Sequence, residues 1–169
     1  LEKAQKQLEQ LTGSGADKSQ LEQEIRELEK KVYTAAKALS EKRKKASEKM
    51  SVAVEEILAK LGMKETKFRV NLTEKEGNQV EQKCGPYGMD NIEFLISANP
   101  GSPLLPLAKI ASGGELSRVM LALKTILSAA DLAGTLVFDE IDTGIGGEVA
   151  VSLGDHMKKH SAKKQILCI

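Results

Sequence analysis

The residues best equipped for chemistry fall in two short runs. Residues 110–123 read IASGGELSRVMLAL, and residues 134–147 read GTLVFDEIDTGIGG. In the first, Ser112 brings a hydroxyl to a helix start, and Gly113 and Gly114 let the backbone approach a ligand closely. The first turn of such a helix offers free N–H groups and a favourable dipole to an anion. In the second, an apolar strand ends in Asp139 and Glu140. Ligands of parallel sheets bind outside the carboxyl ends of the strands. Asp139 is placed there to hold Mg²⁺, directly or through water. Glu140 is placed to orient or activate water against a phosphoryl group. Each run alone has an ordinary explanation: a serine N-cap with Glu115 at N3, or a strand surfacing in two solvated acids. Their succession, one helix apart, argues for phosphate chemistry. No G-x-x-x-x-G-K-[ST] loop occurs in the 169 residues, so half of a phosphate site is expected.

These runs need elements to hold them. The pattern predicts a helix over about 114–130, with Leu116, Val119, Met120, Leu123, Ile126 and Leu127 on its buried side. An apolar strand over 135–138, a helix over about 148–160 and an apolar strand over 165–169 follow. Strand, helix, strand with both strands apolar predicts an α/β fold: a parallel sheet covered by helices. Upstream, Phe68, Val70 and Leu72 alternate with polar residues, as do Ile92, Phe94 and Ile96, and predict two half-buried strands. Residues 79–83 read as a weaker strand. The segment NPGSPLLP reads as loop because of its prolines.

The N-terminal third reads differently. Leu1, Ala4, Leu8 and Leu11 form a short heptad stripe. Gly13 and Gly15 predict a break at 12–18, after which Ser19 and Glu22 form a capping box. A helix is predicted from about 19 to 60. Leu21, Ile25, Leu28, Val32, Ala35 and Leu39 repeat at 4, 3, 4, 3, 4, a coiled-coil seam. Beyond Lys42 the register resumes, wider and shifted, at Ala46, Met50, Ala53, Ile57 and Leu61, with Val54 and Leu58 alongside. Residues 1–45 are therefore expected to form the end of a coiled-coil arm, and 46–169 a globular lobe. Gly62 ends the helix.

The bulk properties narrow the class. Net charge is +1, so overall charge implies no nucleic-acid partner. Its distribution is uneven: residues 30–49 carry eight basic side chains against two acidic ones. Cys84 and Cys168 make no metal spacing and no disulfide framework, which suits a reducing, cytoplasmic compartment. No apolar run reaches membrane-spanning length. Both ends of the chain read as cuts in a longer protein.

The motifs carry a family resemblance. Ser112, Gly113, Gly114 and Glu115 resemble an ABC-type signature motif. Val137, Phe138, Asp139 and Glu140 resemble a Walker B strand with its catalytic glutamate, and Asp142 in IDTGIG a D-loop. The wording of KIASGGELSRVMLALK and LVFDEIDTGIGGEVA is similar to the RecN family of SMC-like bacterial DNA-repair ATPases, and the resemblance extends over nearly the whole chain. It implies the C-terminal lobe of a P-loop NTPase head of the ABC and SMC type, with a projecting coiled-coil helix. The cofactors implied are ATP and Mg²⁺. Ser112 and Gly114 would contact the γ-phosphate held by a second head, Asp139 would support Mg²⁺, Glu140 would activate water, and Asp142 would couple the two sites. The partners implied are an N-terminal lobe with the P-loop, a second head across ATP, and DNA without sequence specificity. Nucleoid association follows, as does inactivity of this chain alone. The histidine switch is expected just beyond Ile169. An SMC or Rad50-type head lobe, or a non-catalytic coiled-coil interaction module, is the alternative.

Three features stand beside this reading. Arg118, one turn into the signature helix, either steadies the phosphate side or makes a surface salt bridge. His156 and His160, at i,i+4 among lysines, read as a solvated face rather than a metal site. Lys42, Arg43, Lys44, Lys45 and Lys49 cluster where the arm would meet the lobe; they could contact phosphates or simply solubilise the helix.

Overall fold

In the computed structural model, residues 2–97, 99–110, 112–128 and 130–169 are described, the side chains of 2–17 excepted. The stripe at Leu1, Ala4, Leu8 and Leu11 lies outside the described residues. The first helix, α1, runs Glu2–Lys60 without interruption. The break expected at 12–18 does not occur, and Ser19 and Glu22 sit inside the helix rather than at a cap. The reason is energetic: glycine costs a helix interior only about 1 kcal/mol against alanine and keeps its N–H, whereas the segment contains no proline.

The chain divides into two compact units. One comprises Leu1–Arg43 and Thr73–Asn91. Leu21, Ile25, Leu28, Val32 and Leu39 are exposed along α1, as an unpaired heptad seam requires. The expected strand at 79–83 is instead a short helix, α2 (Val80–Lys83), closed by a capping box between Gln79 and Gln82. It has too few apolar residues to add a strand face. Asp90, its side chain 2% exposed, pairs with Arg43 at 2.9 Å. Ser40 donates to the same carboxylate at 2.6 Å.

The other unit comprises Lys44–Leu72 and Ile92–Ile169. Here α1 buries Ser51, Val54, Leu58 and Leu61, the 3, 4, 3 stripe of a core-facing helix. Gly62, at φ +83, ends it. The Met63 amide returns to the Leu58 carbonyl at 2.9 Å, the long bond of a Schellman cap. Strands β1 (Lys67–Glu74), β2 (Asp90–Ser97) and β3 (Leu105–Pro106) form one sheet in that order. The proline-bearing loop thus contributes an edge strand antiparallel to β2, the place in a sheet where proline is tolerated. Val54, Leu58, Met63, Phe68, Ile96, Val119, Ala122 and Leu123 make one core cluster.

Helix α3 (Gly113–Ile126) leads to β4 (Thr135–Phe138), α4 (Gly147–Ser161) and β5 (Gln165–Cys168). Strands β4 and β5 pair in parallel, Thr135 opposite Gln165 through Phe138 opposite Cys168. This is the expected strand–helix–strand crossover. A second cluster, of Leu61, Leu121, Leu136, Phe138, Ile141 and Leu153, fills the space beside it. The buried side of α3 differs from expectation. Leu121 and Ala122 are buried, whereas Leu116, Met120 and Leu127 are exposed. Leucine-rich helices present apolar residues on more than one side, and spacing alone does not select the side that packs.

Candidate functional site

The site is the contact between the first turns of α3 and the loop that follows β4. Ser112 is the N-cap of α3, and its Oγ accepts the Glu115 amide at 3.4 Å. The ordinary capping role is therefore filled, and the serine hydroxyl proton remains available to a ligand. Ser112 and Gly113 are exposed, and Gly114 is buried. A Cβ at Gly114 would come within 2.8 Å of the Glu140 carbonyl oxygen and 3.3 Å of Thr143 Cβ. Only glycine permits this approach.

Asp139, Glu140 and Asp142 are exposed, while Phe138 and Ile141 anchor the loop in the core. The apolar strand thus delivers its carboxylates to the surface at its carboxyl end. Glu140 has φ +53, the only non-glycine residue in the left-handed region among those described. Such a conformation costs about 1–3 kcal/mol and persists where neighbours over-determine it. Here the Glu140 amide donates to the Ile169 carbonyl at 2.9 Å, and the Thr143 amide to the Glu140 carbonyl at 3.0 Å. The strain turns the Glu140 side chain toward α3: Oε2 lies 2.6 Å from where a Cβ of Gly113 would stand.

Two more residues join the surfaces: Ser117, which carries no expectation, and Arg118, expected either to steady the phosphate side or to make a surface salt bridge. Ser117 Oγ donates to the Asp139 carbonyl at 2.6 Å. Arg118 Nη1 donates to the carbonyls of Ile141 at 3.2 Å and Thr143 at 3.0 Å. The signal was in the spacing: positions 117 and 118 lie one helical turn past Gly113 and Gly114 and share their face. Arg118 is 7% exposed and makes no ion pair among the described residues, so the surface salt bridge does not form.

The acids suit a hydrated divalent cation. Among the described residues no group of three or more His, Cys, Asp or Glu converges on one point. An Mg²⁺ at Asp139 would accordingly draw its remaining ligands from water and phosphate, as that ion usually does. Cys168, on the neighbouring strand, has its thiol pKa raised by burial and by the Asp142 carboxylate, which leaves it a poor nucleophile.

The remaining expectations divide. His160 is not on a solvated face: it is buried, and its Nε2 lies 2.8 Å from Thr125 Oγ1. Burial lowers its pKa, as does Lys164. The spacing placed it among lysines, but it is the inner member of the last turn. Arg43 leaves the basic run to pair with the buried Asp90, so it is committed to the fold rather than to a phosphate. Lys42, Lys44, Lys45 and Lys49 are exposed. Among the described residues, no helix is long and apolar enough to cross a membrane.

The chain thus presents a long heptad helix, an α/β unit with a parallel strand pair, and a serine-glycine helix start packed on a strand-end Asp-Glu. No family model matches the chain. It is 50% identical over 167 residues, 99% of its length, to the DNA repair protein RecN of Treponema pallidum. It is 39% identical over its full length to the RecN of Rickettsia bellii. The chain spans only 29% and 30% of those two proteins. A solved Smc head domain with an extended coiled coil, from Pyrococcus furiosus, is 25% identical with a TM-score of 0.45, covering 71% of this chain and 27% of that one. The chain belongs to the RecN family.

Proposed function

We propose that this chain is the C-terminal lobe of an SMC-like ATPase head acting in DNA double-strand break repair, with residues 1–45 the end of its coiled-coil arm. The observation that carries the reading is the packing of the signature-type helix start on the Walker B-type loop, with glycines where side chains would collide. ATP binds between two heads. Asp139 supports Mg²⁺ and Glu140 activates water for the nucleotide of its own head. Ser112, with the backbone of Gly113 and Gly114, receives the γ-phosphate held by the opposite head; Glu115 and Asp142 flank that contact.

The P-loop belongs to an N-terminal lobe of the same protein, and this chain alone does not hydrolyse ATP. The exposed seam from Leu21 to Leu39 takes a partner helix, and Lys42, Lys44, Lys45 and Lys49 contact DNA phosphates without reading sequence. The test is Glu140→Gln in the full-length protein. Hydrolysis should fall by at least about a hundredfold while ATP still binds. Unchanged hydrolysis refutes the reading.

A further inference from the structure

We infer that Arg118 is a positioning residue that clamps the D-loop-type turn 140–143 onto the first turns of α3, making the signature serine and the strand-end carboxylates one mechanical body. The inference rests on the ATPase reading above and extends it to a residue outside the proposed nucleotide contacts.

The geometry is specific. One guanidinium nitrogen of Arg118 bonds two carbonyls, Ile141 O at 3.2 Å and Thr143 O at 3.0 Å. These flank Asp142, so the clamp closes over the residue between them. The same nitrogen lies 3.4 Å from where a Gly114 Cβ would stand, directly behind the signature glycines. Arg118 is 7% exposed, and its Nε is buried with no hydrogen-bond partner among the described residues. A buried guanidinium without an acid is a costly choice if its task were only to fill space. Carbonyl oxygens are its partners here, and they fix the backbone of the turn rather than another side chain. Ser117 adds a parallel tie one residue earlier, to the carbonyl of Asp139 at 2.6 Å. Residues 139, 141 and 143 are thus held by consecutive residues of one helix. Any displacement of the Ser112 end of α3, such as a phosphate would impose, is passed to the loop that carries Asp139, Glu140 and Asp142. Methionine at 118 would keep the packing and lose both bonds; lysine would keep the charge and lose the planar fork.

The experiment uses the full-length protein with Arg118→Met, Arg118→Lys and, as control, Glu140→Gln. Steady-state hydrolysis, ATP affinity, melting temperature and amide exchange are measured for each. For Arg118→Met we expect kcat down about tenfold or more, ATP affinity within about twofold, and partial recovery in Arg118→Lys. Exchange should quicken at the Thr143 and Ile145 amides, which bond Glu140 O and Asp142 O, but not in β4. Exchange that quickens equally in β4, or a turn as protected as in the wild type, overturns the clamp. If Glu140→Gln still hydrolyses ATP, the ATPase reading fails, and the exchange pattern alone decides the clamp. If Glu140→Gln is inactive and Arg118→Met turns over normally, only the clamp fails.

Discussion

Glu140 Oε2 occupies the space that a side chain at Gly113 would need, 2.6 Å from its Cβ position. The glycine therefore sets where the carboxylate can rest. In Gly113→Ala the carboxylate must move by roughly 1 Å, a displacement that in a catalytic constellation costs on the order of a hundredfold in rate. Gly113 is the first residue of α3, where the interior preference for alanine is weak, and the atom that must yield is the far end of a flexible side chain. The variant should melt no lower than the wild type and hydrolyse ATP far more slowly in the full-length protein. Equal rates would show that Glu140 is not held by this contact.

Asp131 ties α3 to the turn before β5 through Lys164 at 2.7 Å and Lys124 at 3.1 Å. The Lys164 hydrogen bond is the main cause of a carboxyl pKa lowered from 3.8 to about 2. A depressed acid pKa contributes stability that is present above the unfolded value and lost as pH falls through the folded one. The melting-temperature gap between wild type and Asp131→Asn should thus hold near neutrality and close as pH falls from 3.8 towards 2. A gap independent of pH would assign the effect to packing.

The buried His160 of α4 pairs with the half-buried Thr125 of α3. The Thr125 hydroxyl donates to the Leu121 carbonyl at 2.7 Å, so the histidine Nε2 is the donor to threonine. Thr125→Val leaves that N–H unpaired and should cost about 1–3 kcal/mol in chemical denaturation. Burial, and then Lys164, lower the His160 pKa from 6.5. Stability from this group is therefore full above 6.5 and declines as pH drops below it. A His160 titration at or above 6.5 by NMR would contradict the burial.

The basic run should separate into two behaviours. Arg43→Met breaks the bond to a nearly fully buried carboxylate and should destabilise by about 1–3 kcal/mol. Lys42→Glu, Lys45→Glu and Lys49→Glu should leave the melting temperature unchanged and weaken DNA binding, flattening its salt dependence by about 0.9 per lost contact on duplex. Unaltered DNA affinity in all three would leave the run a solvated helix face.

How far the sequence could be read depends on where each structural preference originates. The crossover β4–α4–β5 and the end of α1 at Gly62 rest on local pattern and backbone chemistry, and both form as expected. The uninterrupted helix through Gly13 and Gly15 reflects cooperativity that outweighs two weak residues. The buried side of α3 and the buried His160 depend on which neighbours pack there, which spacing does not encode. At the candidate site, Ser112, Gly114, Asp139 and Glu140 could be named because their chemistry is written in residue type. Ser117 could not, because its partner is a backbone carbonyl more than twenty residues away; Arg118 could be singled out, but its carbonyl partners, equally remote, could not.

The most direct test concerns ownership of the two composite sites. Full-length Ser112→Arg and Glu140→Gln proteins should each be inactive in ATP hydrolysis. If Ser112 serves the opposite head, a mixed dimer keeps one intact site, built from Glu140 of one protomer and Ser112 of the other. An equimolar mixture should then recover roughly a quarter of wild-type activity, since half of the dimers are mixed and each has one working site of two. A mixture as inactive as its components would contradict a Ser112 that acts across the dimer.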